Sequence, residues 1–130
     1  MKQDQGILDN ITTGIVRLND KLEVTALNAA GEALLETSES RCLGQHVGSL
    51  TLTPGQWLET LENALNSNSP HASRGITLTL HSGQEIHLDV IVTPVAPDGN
   101  TPTSLLVEMQ AIDRLLKISR DENQIHVQET

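Results

Sequence analysis

Two stretches in which apolar and polar side chains strictly alternate constrain the fold most. They cover residues 76–80 and 86–90, and their apolar members are Ile76, Leu78, Leu80, Ile86, Leu88 and Val90. This two-residue period predicts two strands, each with one buried and one polar face. We expect residues 82–84 to form a three-residue loop, because a two-residue loop would set Leu80 against Glu85. In the expected register Leu80 faces Ile86, Leu78 faces Leu88 and Ile76 faces Val90.

Three further segments, residues 15–18, 22–27 and 105–109, are rich in Leu, Ile and Val and lie next to turn residues, which predicts strands. Helical segments lie between the second and third strands along the chain. Hairpins at both ends, with a helical middle too short to join two sheets, favour one five-stranded antiparallel sheet with helices on one face. The predicted fold class is α+β.

Two helix starts carry capping residues. Asn28 precedes residues 29–35, and its side-chain oxygen can accept a hydrogen bond from the free amides of the first turn. Thr53 precedes a Pro at the first helical position and a Gln at the third, which is a capping-box pattern. An apolar stripe follows, formed by Trp57, Leu58, Leu61, Ala64 and Leu65. The stripe can line a ligand pocket or fill the core, and core filling is the default for Trp57.

The chain divides into a central domain, residues 13–111, and two flanking segments. Residues 1–12 carry Ile7, Leu8 and Ile11 at helical spacing and predict an N-terminal amphipathic helix. Residues 112–130 begin as an amphipathic linker helix that leaves the domain and become polar toward their end. Because a short isolated amphipathic helix is marginally stable in water, we expect these apolar faces to pack across a homodimer.

Charge and composition argue against several function classes. The net charge of -9, without a basic stripe, repels phosphate backbones, and Trp57 is the only aromatic residue available for base stacking. We therefore expect no binding to nucleic acid. Cys42 is the only cysteine, so no intrachain disulfide can form. The sequence shows no signal-peptide pattern and no apolar run near the roughly 20 residues that span a bilayer. We expect a cytoplasmic protein that does not engage a membrane.

Two parts of the sequence resemble a known family of sensor domains. Residues 14–19 and 27–35 are similar to the opening of a PAS domain, in which a strand, a turn and a second strand lead into a helix headed here by Asn28. Residues 105–122 resemble the passage from the last strand into the linker of the NtrB family of histidine kinases. That passage contains the family's Asp-Arg-x-Leu and Ile-Ser-Arg elements. The resemblance covers nearly the whole chain.

The resemblance implies the sensor half of a cytoplasmic, dimeric histidine kinase in nitrogen regulation. Such a kinase phosphorylates the response regulator NtrC and is controlled through a PII signal protein. This segment itself is not expected to be an enzyme, because the family's His-Glu phosphoacceptor box and ATP-binding domain have no counterpart here. His126 is expected to be a polar tail residue. We therefore expect the chain to be an excised domain or a truncated protein.

The linker supplies the candidate residues for signal transmission. They are Ile112, Asp113, Arg114 and Leu115, and we expect Asp113 and Arg114 to anchor the linker to the sheet through charge-assisted hydrogen bonds.

Other chemical interpretations are weaker. Glu85, His87 and Asp89 would share one sheet face with Thr79 and His81, as a metal or acid-base site requires, but a polar strand face turned to water explains the pattern better. Cys42 lies in the middle helical region, as the reactive Cys of flavin-linked PAS photosensors does, yet the flavin-contacting pattern is not present. We predict no cofactor. The alternative functions are a stand-alone ligand-binding domain or small enzyme, and a dimerisation platform without a ligand.

Overall fold

The computed structural model describes residues 13–52 and 55–112. The predictions for residues 1–12, for Thr53 and for residues 113–130, which include Asp113, Arg114, Leu115 and His126, lie outside the described residues. The described elements are β1 (Gly14–Asn19), β2 (Val24–Leu27), α1 (Ala29–Leu35), α2 (Glu39–Cys42), a 3₁₀ turn (Val47–Leu50), α3 (Gly55–Ser67), β3 (His71–Thr79), β4 (Glu85–Val95) and β5 (Ser104–Ala111).

The five strands form one antiparallel sheet in the order β2-β1-β5-β4-β3. Three neighbouring pairs are joined by hairpins, and the pairing of β1 with β5 brings the first and last strands together in the middle of the sheet. Since β2 and β3 lie at opposite edges, the helical segment between them must cross the sheet. The predicted α+β class with a five-stranded antiparallel sheet is confirmed.

One face of the sheet is buried beneath the helices. Alternate side chains of the three central strands are almost completely buried: Val16, Leu18, Leu88, Val90, Val92, Leu105, Val107 and Met109. Trp57 and Leu61 of α3 are fully buried, and Leu58 is partly buried against this core. Burying one such side chain stabilises the fold by about 1.5–3 kcal/mol, so α3 is held mainly by its apolar stripe.

The β3–β4 hairpin has a different register from the expected one. Leu78 faces Ile86 and Ile76 faces Leu88, which is a shift of two residues. The Leu80 N–H donates to the Gln84 carbonyl, and the Gly83 N–H donates to the Leu80 carbonyl, both at 2.8 Å. The loop therefore comprises residues 81–83, because a three-residue loop needs its last residue at positive φ, and Gly83 has a φ of 94°. A shift of two keeps the same side chains buried.

Two strand boundaries also differ from the prediction. The strand expected at residues 22–27 begins at Val24, because the Asn19 side chain accepts hydrogen bonds from the N–H groups of Lys21 and Glu23 and prolongs the turn. β3 begins at His71, well before the alternating stretch. A bulge at Gly75, whose φ is 67°, interrupts its pairing and obscures the alternation.

Candidate functional site

Asn28 joins the start of the sheet to the start of α1. Its Oδ1 accepts hydrogen bonds from the N–H groups of Ile15 and Gly31, both at 2.8 Å, and its Nδ2 donates to the Thr13 carbonyl at 3.0 Å. The Asn28 backbone N–H also donates to the Ile15 carbonyl. The side chain expected only to cap a helix thus also fixes the position of β1 beneath that helix.

Two carboxylates hold α2 against its neighbours. Glu39 Oε2 accepts a hydrogen bond from the Leu27 N–H at 3.0 Å, and Glu32 Oε2 accepts one from the Glu39 N–H at 2.7 Å. Burial raises the pKa of the Cys42 thiol, and the negative charges of Glu39 and Glu32 raise it further. Cys42 is only 1% exposed. The thiol therefore stays protonated near neutral pH and is a poor nucleophile or metal ligand.

The polar side of the β3–β4 hairpin carries structural contacts. Asp89 Oδ1 accepts a hydrogen bond from the Gly75 N–H at 2.8 Å, and His87 Nδ1 lies 3.1 Å from Thr77 Oγ1. The expectation that His81 shares this face is wrong, because His81 lies in the turn and its Nε2 donates to the Ser49 carbonyl at 2.7 Å. Within residues 13–52 and 55–112, no group of three or more His, Cys, Asp or Glu side chains could hold a metal ion.

A crevice of about 480 Å³ lies between the end of α1, α2, the 3₁₀ turn and the β3–β4 turn. We name it the α2 crevice and define it by Leu35, Glu36, Arg41, Leu50, Leu80 and His81. Two contacts between distant parts of the chain close one side of it: the His81–Ser49 hydrogen bond, and a 2.8 Å bond from Ser82 Oγ to Glu36 Oε1. Sequence reasoning missed this site because its walls come from segments that are far apart in the chain.

The end of β5 is the point where the described chain leaves the sheet. Ala111 pairs with Leu88, and the Ile112 N–H donates to the His87 carbonyl at 2.9 Å. Ile112 is half-buried and is the one transmission candidate that lies within the described residues. The hydrogen-bonded ladder of the sheet therefore continues up to the first residue of the expected linker.

Comparison with known proteins places this architecture in a family. A model of the PAS fold matches residues 2–112. The chain belongs to the PAS family. This PAS domain is 30% identical over 123 residues to the sensory histidine kinase/phosphatase NtrB of Vibrio alginolyticus. The match covers 95% of this chain but 34% of that protein, so the chain spans about a third of the length of this relative.

Solved structures show the same fold. The PAS domain of nitrogen regulation protein NR(II) from Vibrio parahaemolyticus superposes with a TM-score of 0.67 at 28% identity, over 84% of this chain and 97% of that one. A sensory box sensor histidine kinase from Vibrio cholerae reaches a TM-score of 0.68 at 13% identity, over 85% and 90% of the two chains, and shows the fold alone. In the described part of this PAS domain, no helix has the length and apolar character needed to cross a membrane.

Proposed function

We propose that this PAS domain is the sensory and dimerisation module of a cytoplasmic histidine kinase in nitrogen regulation. The observation that carries the proposal is the similarity to NtrB along 95% of the chain. In this proposal the kinase phosphorylates the response regulator NtrC and responds to a PII signal protein, and both partners contact the kinase part rather than the PAS domain. The PAS domain passes its state to the kinase through the end of β5.

The contacts at the end of β5 support a mechanical transmission of the signal to the kinase. The hydrogen bond from Ile112 to His87 couples the beginning of the linker to β4, so a rearrangement of β4 changes where the linker starts. We propose that Asp113 and Arg114 anchor the next part of the linker to the sheet through charge-assisted hydrogen bonds.

A chimaera tests the transmission proposal. The segment of the Vibrio alginolyticus kinase that matches this chain is replaced by this chain, and autophosphorylation and phosphatase activity are measured with and without PII. We expect Asp113→Ala to change the PII response about fivefold or more, which is the lower range of allosteric coupling, while the chimaera stays folded. Asp20→Ala, at an exposed turn position, is the matched control. An identical PII response in both variants would contradict the proposal.

We also propose a surface for the homodimer. On the outer face of the sheet, Ile15 and Ile91 flank Glu108 in adjacent strands, and Leu106 lies in the next row. Ile91 is 48% exposed, and the other two apolar side chains are half-buried. We name Ile15, Ile91 and Leu106 the outer sheet patch. Arg17 and Glu108 lie beside it and can form ion pairs across a two-fold axis.

Sedimentation velocity tests whether the outer sheet patch is the dimer interface. We expect Ile91→Glu to weaken dimerisation about tenfold or more, because an unpaired carboxylate would be buried in the interface. Leu43→Glu is the matched control, since Leu43 is also 48% exposed but lies after α2. Equal dimer dissociation constants for the two variants would exclude the outer sheet patch as the interface.

A further inference from the structure

The α2 crevice presents charged groups of both signs that have spare binding capacity. Within the described residues, no carboxylate lies within ion-pair distance of the Arg41 guanidinium. Glu36 uses Oε1 to accept a hydrogen bond from Ser82, and Oε2 remains available to a donor. The guanidinium can bind a carboxylate through two parallel hydrogen bonds, and the Glu36 carboxylate can accept from an ammonium group.

Buried leucines form the apolar part of the crevice lining. Leu35, Leu50 and Leu80 line the crevice, and each is at most 8% exposed. They come from α1, from the 3₁₀ turn and from the residue that follows β3. The lining combines these leucines with polar and charged side chains, and the volume of about 480 Å³ lies within the usual range of small-molecule sites, about 300–1,000 Å³.

The charged side chains of the crevice determine which class of ligand it can bind. A simple anion would meet Arg41 but would be repelled by Glu36, and a simple cation would meet Glu36 but would be repelled by Arg41. A molecule that carries a carboxylate and an ammonium group on one carbon offers a partner to each residue, and an aliphatic side chain can contact the leucines of the lining. We propose that the α2 crevice binds a free α-amino acid with an apolar side chain, its carboxylate at Arg41 and its ammonium group at Glu36.

The role of such a ligand as an input signal rests on the proposed sensory function, whereas its binding does not. The two are therefore tested separately. Binding is measured on the 130-residue chain, without any kinase part. Signalling is measured in the chimaera described above.

The binding experiment uses three matched probes in isothermal titration calorimetry. L-leucine carries both charges, N-acetyl-L-leucine lacks the ammonium group, and L-leucinamide lacks the carboxylate. We expect saturable binding of L-leucine and affinities about tenfold or more lower for both analogues, because each loses one charge-assisted contact. The comparison among the three probes needs no variant, so it does not depend on whether a variant folds.

Two variants assign the contacts. Arg41→Gln and Glu36→Gln each remove one charge, and we expect each to weaken L-leucine binding about tenfold. Gln at position 36 keeps an oxygen that can accept from Ser82. Arg74→Gln is the control, because Arg74 is an exposed arginine in the bulge of β3 and does not line the α2 crevice.

Several outcomes overturn the inference. The first is the absence of saturable binding of L-leucine. The second is equal affinity for the three probes, which indicates non-specific apolar association. The third is tighter binding of N-acetyl-L-leucine than of L-leucine, which indicates an anion site. An equal loss of L-leucine binding in Arg41→Gln and Arg74→Gln contradicts the assignment of the binding site to the α2 crevice. Binding of L-leucine without any change in the activities of the chimaera refutes the signalling role and leaves the binding site intact.

Discussion

Replacement of Asn28 by Ala tests how the beginning of this domain is held together. The change removes three side-chain hydrogen bonds, made with Ile15, Gly31 and Thr13. Loss of a helix cap costs about 1 kcal/mol, and leaving the N–H of Ile15 without an acceptor in a half-buried site costs about 1–3 kcal/mol. We therefore expect the free energy of unfolding to fall by about 2–4 kcal/mol, a large part of the stability of a single domain.

Urea denaturation followed by circular dichroism measures this loss. Asn28→Asp keeps both acceptor contacts but places a second carboxylate oxygen against the Thr13 carbonyl, so we expect it to lose stability, although less than Asn28→Ala. Asn66→Ala, on the exposed side of α3, is the control and should change the unfolding free energy by less than about 0.5 kcal/mol. The reasoning is refuted if Asn28→Ala and Asn66→Ala unfold at the same urea concentration.

Three further predictions concern other parts of the domain. Gly31→Ala should destabilise it by about 1–3 kcal/mol in the same denaturation assay, because a Cβ there would lie 2.5 Å from Leu27 Cδ1. Burial raises the pKa of the Cys42 thiol in the folded state, so the thiol of the unfolded chain ionises at a lower pH. The free energy of unfolding should therefore fall as the pH rises past 9.0, the ordinary pKa of a thiol, and Cys42→Ala should reduce this fall. Ser82→Ala removes the bond to Glu36 and should speed amide exchange at Gly83, whereas Ser69→Ala should not.

The sequence was sufficient to predict elements whose pattern is local. Alternation identified β3 and β4 because a sheet covered on one face buries every second side chain, and Leu78 and Leu88 are buried accordingly. The start of α1 was predictable because Asn28 lies next to the amides it caps. Its contacts with Thr13 and Ile15 were not, since they depend on how β1 and β2 pair.

The parts that were missed depend on backbone conformation and on residues distant in the chain. The hairpin register is set by the positive φ of Gly83, which determines which three residues form the loop. The first half of β3, before the bulge at Gly75, lies at the edge of the sheet and is mostly polar, so its sequence lacks the apolar–polar alternation of the second half. The α2 crevice is lined by side chains between Leu35 and Ser82, and the spacing of apolar residues along the sequence does not predict contacts between such distant segments.

The β3–β4 hairpin connects the α2 crevice to the end of β5. This connection limits how a signal can pass between the two sites. Ser82 holds the β3–β4 turn to α1, and further along β4 the His87 carbonyl holds Ile112. A packed core resists gradual deformation, so coupling needs a segment that can adopt two arrangements. From Leu88 to Val92 the inward side chains of β4 are almost completely buried, whereas the inward Ile86 is only half-buried. We therefore expect any rearrangement of β4 to begin at residues 85–87, and the His87 carbonyl, which accepts the hydrogen bond from Ile112, lies in this segment.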